Sequence, residues 1–324
     1  IIGNGTGGAP NVVLLEIHLG NLIGLDLRNT IFQNWNDGFY IDKTVRIVAG
    51  TSTRLIYAPN EESWINGSAA AAGIYVFGGS QMDQIYGSQF GDYIVAGGAG
   101  DYLIGLNGAD AIGGGEGNDS VWGGADGDTL AGNEGADSLF GEDGQDMLLG
   151  GAEADTLDGG AMDDLLIGGA GADVLIGGAG AGDYAAYHDT NTGLRVDLSN
   201  TAMNTGNAAG DTYIGIENLQ GSNWSDSLTG DGGNNRLNGL QGDDSLSGNA
   251  GSDTLVGNEG VDTLRGGMGA DALDGGDGLD WANYMSATAG LRVDLSGLGA
   301  DDVRDLVALA TGAAPEPVTA ELLR

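Results

Sequence analysis

The sequence predicts an all-β fold, a parallel β-roll built from two arrays of nine-residue repeats. Glycine supplies 65 of the 324 residues, but the chain has only 4 Pro and no collagen-like period of three, so the glycines serve another regular turn. An aspartate recurs every nine residues, and an aliphatic residue stands two positions after it. Each repeat then holds a glycine-rich turn and a three-residue strand centred on the aliphatic residue. Two repeats form one coil, whose strands pair in parallel with those of the next coil.

The first array occupies residues 78–183, keeps its spacing without a slip from Asp83 to Asp173, and gains one residue before Asp183. Its aspartates are Asp83, Asp92, Asp101, Asp110, Asp119, Asp128, Asp137, Asp146, Asp155, Asp164 and Asp173. The aliphatic residues are Ile85, Ile94, Leu103, Ile112, Val121, Leu130, Leu139, Leu148, Leu157, Leu166 and Leu175. Chance does not explain two registers that hold together for this long, and we expect the aliphatic side chains to stack inside the roll.

The second array occupies residues 221–282 and repeats the same pattern. Its register positions are Asp226, Asn235, Asp244, Asp253, Asp262, Asp271 and Asp280. The aliphatic residues two positions later are Leu228, Leu237, Leu246, Leu255, Leu264 and Leu273. Asparagine therefore replaces the repeat carboxylate once.

Non-repeat segments follow both arrays and resemble each other. Residues 183–199 and 280–296 share the patterns Asp-aromatic-Ala-x-Tyr and Gly-Leu-Arg-Val-Asp-Leu-Ser at an offset of 97 residues. We predict a β-rich linker at 184–220 and a tail at 283–324, in which residues 301–310 form a short helix with acids at its start.

Residues 1–77 contain apolar runs that are rich in β-forming residues. Ile47, Ile56, Ile65 and Ile74 are again nine apart, but the glycine-rich turns are missing. We therefore predict solenoid rungs that continue the roll upstream without the repeat turn.

The charge balance is strongly acidic. The chain carries 47 Asp plus Glu against 10 Lys plus Arg, a formal charge of −37 at pH 7. This charge opposes a compact state unless cations bind, and it makes nucleic acid and anionic membranes poor partners. An acidic composition is also typical of disorder, but 41% of the residues are hydrophobic and their placement is periodic. The longest apolar run, residues 69–77, is too short to cross a bilayer.

The repeat places the oxygen ligands of a hard cation at regular intervals. Residues 114–122 read Gly-Gly-Glu-Gly-Asn-Asp-Ser-Val-Trp. Aspartates one coil apart lie on one edge of the roll, where carboxylates about 5 Å apart repel by about 3 kcal/mol at an effective dielectric constant of about 20. A divalent cation reverses this repulsion. Carboxylates with turn carbonyls suit calcium, because magnesium requires a stricter octahedron. Since the chain has no cysteine, a metal takes the place of disulfides outside the cell.

These residues resemble the RTX family, the haemolysin-type calcium-binding repeats of type I secreted proteins. Residues 210–222 also resemble the segment that precedes the repeats in serralysin-like secreted proteins. The resemblance covers about 78–296 and implies that calcium binds between turns one coil apart. The ligands that it implies are Asp83, Asp92, Asp101, Asp110, Asp119, Asp128, Asp137, Asp146, Asp155, Asp164, Asp173, Asp226, Asp244, Asp253, Asp262, Asp271 and Asp280. The third motif glycine is replaced, which weakens the individual site, at Gln81, Phe90, Ala99, Asp126, Glu153, Met162 and Trp224.

The resemblance implies a secreted or cell-surface protein that stays unfolded in calcium-poor cytosol and folds outside. Our leading hypothesis is a non-catalytic structural, surface or adhesion scaffold. The alternative is the C-terminal calcium-binding region of a larger secreted enzyme, a metalloprotease or a polysaccharide-active enzyme, whose catalytic domain lies outside this chain.

Catalytic candidates within the chain are few. A zinc protease helix needs two histidines at close spacing, whereas His18 and His188 stand in unrelated contexts. Asp26, Asp37 and Asp42 are candidates for a polysaccharide-active groove, and solvated strand ends are the alternative interpretation.

The residue after each buried aliphatic residue is predicted to point outward. On one side of the first array these residues form an apolar stripe, broken by one aspartate, which consists of Tyr86, Ile104, Trp122, Phe140, Asp158 and Ile176. The second array has polar residues there, Thr229, Ser247 and Arg265. Exposed apolar stripes mark interaction sites, so we predict a protein partner, self-association, or cover from the chain's own residues 184–219 or its N-terminal strands.

Overall fold

A computed structural model of the protein describes residues 15–18, 24–26, 45–48, 55–58, 60, 62–283 and 292–293. The chain forms two compact units. The first unit is Ile1–Ala185 together with Gly210–Ile216, and the second is Ala186–Ala209 together with Glu217–Arg324.

The first unit contains two stacks of parallel strands. The first stack consists of Leu15–His18, Val45–Val48, Ser63–Asn66, Asp83–Tyr86, Tyr102–Asn107, Ser120–Ala125, Ser138–Asp143, Thr156–Ala161, Val174–Ala179 and Thr212–Ile214. The second stack consists of Gly24–Asp26, Leu55–Tyr57, Tyr75–Phe77, Tyr93–Gly98, Ala111–Glu116, Thr129–Glu134, Met147–Ala152, Leu165–Ala170 and Tyr184–Ala186. The strands alternate between the stacks along the chain, as two strands per coil require.

The second unit also contains two stacks. One consists of Asn218–Gln220, Arg236–Gln241, Thr254–Glu259, Ala272–Asp277 and Arg292–Val293. The other consists of Arg195–Asp197, Ser227–Thr229, Ser245–Ala250, Thr263–Met268 and Trp281–Ala282. Helical structure in the described residues is limited to two short 3-10 helices, Thr201–Met203 and Gly206–Ala208.

The register between neighbouring strands follows the sequence period. Val121 pairs with Leu103 on one side and with Leu139 on the other, and Leu255 pairs with Leu237 and Leu273. The repeat aliphatic residues are therefore stacked at intervals of one coil, and they are 0–4% exposed. This stack is the core of each roll, and it confirms the predicted all-β parallel β-roll.

Most repeat strands are longer than the three residues that the sequence predicts. In Tyr102–Asn107 the inward positions are Leu103 and the glycine that begins the next turn, Gly105. Because this glycine has no side chain, the strand continues past the aliphatic residue and pairs along the first half of the turn. The six-residue strand thus overlaps the turn.

The region before the first array adds rungs to the same two stacks. Ser63–Asn66 pairs with Asp83–Tyr86, and Tyr75–Phe77 pairs with Tyr93–Gly98. Ile56, Ile65 and Ile74 are fully buried. Asp37, Asp42 and the helix expected over 301–310 lie outside the described residues.

Candidate metal centre

The register aspartates form ladders that run along the edges of each roll. After the first turn on each edge, each carboxylate accepts, through Oδ1, the backbone N–H of the register residue one coil earlier. The N···O distance is 2.7 Å from Asp101 to Asp119, 2.7 Å from Asp119 to Asp137, and 2.8 Å from Asp244 to Asp262. The periodic aspartates of the sequence are thus brought together in the order that the eighteen-residue coil predicts.

The aspartates are buried, and one oxygen of many carboxylates has no partner. The register aspartates from Asp83 to Asp173 and from Asp226 to Asp271 are at most 5% exposed. The buried Oδ2 atoms that lack a hydrogen bond include those of Asp101, Asp110, Asp119, Asp128, Asp137, Asp146, Asp155, Asp164, Asp244, Asp253 and Asp262. A buried unpartnered carboxylate oxygen is costly, so its repetition in almost every turn points to a bound cation.

Glycine at the first position of each turn makes room for this oxygen. A β-carbon on Gly105 would clash with Oδ2 of Asp110 and with the carbonyl oxygen of Gly123. The same pair of clashes occurs at Gly141, with Asp146 and the carbonyl of Gly159. The glycine is therefore required because a carboxylate oxygen and a main-chain carbonyl of the next coil lie against its α-carbon.

Burial makes the ionised form of these carboxylates unfavourable. It raises the pKa of Asp101 and Asp110 to about 8. The hydrogen bond that each accepts from the register aspartate one coil earlier lowers the pKa by less. In the second array burial raises the pKa of Asp253 and Asp262 to about 6. Repulsion between neighbouring carboxylates raises the pKa of all four further. Without a counter-charge, the ladder thus holds protons or opposes folding.

The available donors are oxygens. In the part of the chain that is described, no three His, Cys, Asp or Glu side chains cluster tightly enough to hold a metal alone. The donor set therefore combines one carboxylate per turn with main-chain carbonyls, which suits calcium and not zinc. The residues fit calcium, which when bound supplies the positive charge that the buried Oδ2 atoms lack.

Replacing the third motif glycine leaves the turn conformation intact at several sites. Ala99, Asp126, Glu153 and Met162 occupy this position, and each has a φ between 68° and 82°. A left-handed conformation strains a non-glycine residue by about 1–2 kcal/mol. These substitutions therefore lower stability while the carboxylate stays in register.

Two ladder members are absent from the predicted ligand set. Asp183 accepts the N–H of Asp164 at 2.8 Å, and Asp211 accepts that of Asp173 at 2.9 Å. Both are fully buried. The signal for Asp211 is Tyr213 two positions later, an apolar residue at the place of the repeat aliphatic residue. The interruption of the period concealed it.

The described catalytic candidates lie in different parts of the chain. His188 is exposed in the second unit, and His18 lies in the strand Leu15–His18 of the first. Asp26 ends the strand Gly24–Asp26. Within the described residues no helix is long and apolar enough to cross a membrane.

Comparison with known families agrees with this geometry. A family model of the RTX calcium-binding nonapeptide repeat, four copies long, matches residues 77–112, 86–121, 113–148, 122–157, 149–183, 211–246 and 247–282. Together these matches cover more than half of the chain. No curated protein matches the sequence. The strand register, the turn glycines that make room for the carboxylates, and the family match confirm the predicted resemblance. The chain belongs to the family of proteins with calcium-binding RTX nonapeptide repeats.

Proposed function

We propose that the protein is a secreted or cell-surface scaffold that folds when it binds calcium and that has no catalytic activity of its own. The observation that supports this most directly is the series of buried Oδ2 atoms without a hydrogen-bond partner. One carboxylate per turn gives many equivalent cation sites, whereas an active site needs one distinct acid and base. RTX repeats are typical of secreted proteins, which agrees with a location outside the cell.

The ligands in this proposal are the register aspartates, each with carbonyl oxygens of the neighbouring turns. Calcium bound at an edge neutralises carboxylates that repel one another across successive coils. Extracellular calcium modules bind at about 10⁻⁴ to 10⁻³ M, so the chain stays unfolded in the cytosol and folds after export. Binding to the folded state alone stabilises that state by mass action.

Limited proteolysis tests the proposal. With millimolar calcium we expect protection of residues 78–282, and with a chelator we expect rapid cleavage throughout both arrays. Restoring calcium should restore protection. Equal cleavage rates with and without calcium would contradict the proposal.

The outer face of the first unit supports a role in binding a protein partner. On the first stack the rings of Tyr86, Tyr102, Trp122 and Phe140 follow one another, with Trp64 beside Tyr86. The ring centroids lie 4.7 Å apart for Tyr102 and Trp122, 5.1 Å for Trp122 and Phe140, and 6.0–6.3 Å for the other neighbouring pairs. We call this series the aromatic ladder. Ile104 lies in the same series of paired strands, and Ile176 pairs with Ile214 at the end of the stack.

A groove of about 390 Å³ lies along the aromatic ladder, and Gln84, Tyr86, Tyr102 and Ser120 are among the residues that line it. Tyr86 and Tyr102 line it together with polar side chains, which include Gln84, Asn118 and Ser120. A second copy of this chain is a poor occupant because each copy carries a formal charge of −37. The proposed partner is therefore a protein that presents an apolar, non-acidic surface.

The alternative function is the calcium-binding region of a larger secreted enzyme. The gene sequence upstream of Ile1 discriminates between the two. A His-Glu-x-x-His motif or a long β-helix encoded there would favour the enzyme, whereas further repeats or an adhesion domain would favour the scaffold.

A further inference from the structure

The first turn on each edge of each array is built differently from the turns that follow. We call these four the opening turns. They are residues 78–83, 87–92, 221–226 and 230–235. In each, the residue four positions before the register residue donates its N–H to that side chain, at 2.9 Å from Gly79 to Asp83, 2.5 Å from Ser88 to Asp92, 2.6 Å from Ser222 to Asp226 and 3.0 Å from Asp231 to Asn235.

The backbone at the donating position distinguishes the two kinds of turn. In the later turns this position has a positive φ, at Gly97, Leu106, Gly115, Gly124, Asn133, Glu142, Gly151, Gly160, Gly169, Leu240, Asn249, Asn258, Gly267 and Gly276. Gly79, Ser88, Ser222 and Asp231 do not have a positive φ. Leucine and glutamate in a left-handed conformation are strained, so the later turns hold a conformation that the opening turns do not need.

The strands that lead into the two kinds of turn also differ. Those before the opening turns, Tyr75–Phe77, Asp83–Tyr86, Asn218–Gln220 and Ser227–Thr229, have three or four residues. A strand within an array, such as Ser138–Asp143, has six and continues into the next turn. Turn conformation and strand length therefore change together after the first turn of each edge.

Serine closes two of the opening turns with the same set of hydrogen bonds. Ser88 Oγ donates to Oδ1 of Asp92 at 2.8 Å and accepts the N–H of Phe90 at 3.1 Å. Ser222 Oγ lies 3.0 Å from both carboxylate oxygens of Asp226 and accepts the N–H of Trp224 at 3.1 Å. A side chain that bonds the local backbone in this way stabilises a turn by itself. Both carboxylate oxygens of Asp92 and Asp226 are thus satisfied by protein groups.

Asn235 closes the fourth opening turn and also joins two coils. Its Nδ2 donates to the carbonyl oxygen of Glu217, one coil earlier, at 2.7 Å. Asp231 Oδ1 lies 3.2 Å from the same nitrogen. An amide here gives the cross-coil bond that a cation would give elsewhere, and it carries no charge that needs neutralising.

We propose that the four opening turns close without calcium, and that Asp83, Asp92 and Asp226 act as turn-closing residues instead of calcium ligands. This inference rests on the proposed calcium-dependent folding and narrows its ligand set. The calcium ladder then begins one turn later on each edge. Each array starts from a turn that is complete before calcium arrives, and the next coil is added to that turn.

The number of bound ions tests this proposal. Asp226→Asn removes an opening carboxylate, and Asp244→Asn removes the next carboxylate on the same edge. Since Asn235 shows that an amide is accommodated in an opening turn, Asp226→Asn is expected to fold. Equilibrium dialysis with elemental analysis at saturating calcium should give the unchanged ion count for Asp226→Asn and at least one ion fewer for Asp244→Asn.

The first array provides a matched second pair, Asp92→Asn and Asp110→Asn, in the other compact unit. The same outcome is expected there, so that poor folding of one variant does not decide the test. Equal losses from the opening and later variants would overturn the proposal, and so would an unchanged count in both. If the unaltered protein binds no calcium, the proposed function itself fails. If it binds calcium but opening variants lose ions, only the assignment of the opening turns fails.

Discussion

The two arrays are alike inside and different outside. Val121 and Leu255 occupy the same stacked position in their respective rolls, and both are fully buried. The outward residue that follows is Trp122 in the first array, where it stacks on Phe140, and Val256 in the second, where it pairs with Asn238 and Asp274. The core and the turn determine the roll, whereas the outward positions are free to vary. Folding and recognition thus depend on different positions of one repeat.

The largest expected effect comes from the shared interior. Leu139→Ala in the first array and Leu264→Ala in the second should each lower the free energy of unfolding by about 2–5 kcal/mol, because both side chains are fully enclosed. Urea unfolding in saturating calcium measures the loss. A loss confined to one array would break the claim that the interiors are equivalent.

The next effect concerns the edges. Asp119→Ala in the first array removes a carboxylate that has neighbours in the coils before and after, so we expect a loss of about two ions and a rise in the calcium midpoint. Asn235→Ala in the second array should retain the ion count. It should still lower the stability by about 1–2 kcal/mol, because the carbonyl of Glu217 loses its donor.

Calorimetric calcium titration of the two variants measures both quantities. Sequence periodicity alone predicts that Asn235→Ala changes the calcium midpoint little. An equal shift of the calcium midpoint in the two variants would contradict the assignment of ladder ligands.

A smaller effect, shared by the two arrays, is a pH dependence of their stability in the absence of calcium. Their buried carboxylates have a higher pKa in the folded state than the usual 3.8, so protonation stabilises the calcium-free fold at low pH. This stability is lost as pH rises through the folded-state pKa. That value ranges from about 6, as for Asp137 and Asp262, to about 8 for Asp101 and Asp110.

Both calcium-free arrays should therefore lose protection as pH rises through about 6 to 8. Hydrogen–deuterium exchange resolved by peptide, and corrected for the intrinsic rate at each pH, measures this loss. Protection that does not change with pH, or that increases with it, would show that burial of the carboxylates does not control the calcium-free state.

The smallest effect on stability is expected at the outer face. Trp122→Asp should abolish partner binding through the aromatic ladder while changing the calcium midpoint little, because Trp122 is half-buried and outside the core. Val256→Asp, at the outward position of a second-array repeat, is the control. Sedimentation velocity of the protein alone and of its mixture with a captured partner measures the association. If the unaltered protein self-associates and Trp122→Asp prevents it, the occupant is a second copy.

The register of the roll was predictable because it follows from one number, the nine-residue period. Ile85, Leu103 and Val121 had to stack once two repeats formed a coil, and the paired strands agree. The duplicated tails also form strands at equivalent places, Tyr184–Ala186 with Trp281–Ala282 and Arg195–Asp197 with Arg292–Val293. Periodic positions transfer from sequence to structure because each repeat contacts mainly its neighbours.

Features that depend on a change from one repeat to the next were not predictable. Periodicity treats Asp92 and Asp110 alike, but Ser88 gives Asp92 a donor, and Leu106 before Asp110 is left-handed. The strand length was underestimated because it depends on pairing of the turn backbone, which has no side-chain pattern. Asp211 was missed because a non-repeat segment separates it from the array.

The central claim is that calcium folds the chain, and a calcium titration followed by far-UV circular dichroism tests it most directly. The protein is first treated with a chelator at a pH above the folded-state pKa of about 8 of Asp101 and Asp110, where the ladder carboxylates are ionised and repel one another, and calcium is then added to several millimolar. The account predicts a disordered spectrum at the start and a cooperative gain of β-structure in the millimolar range. A β-rich spectrum that does not change between chelator and calcium would contradict it.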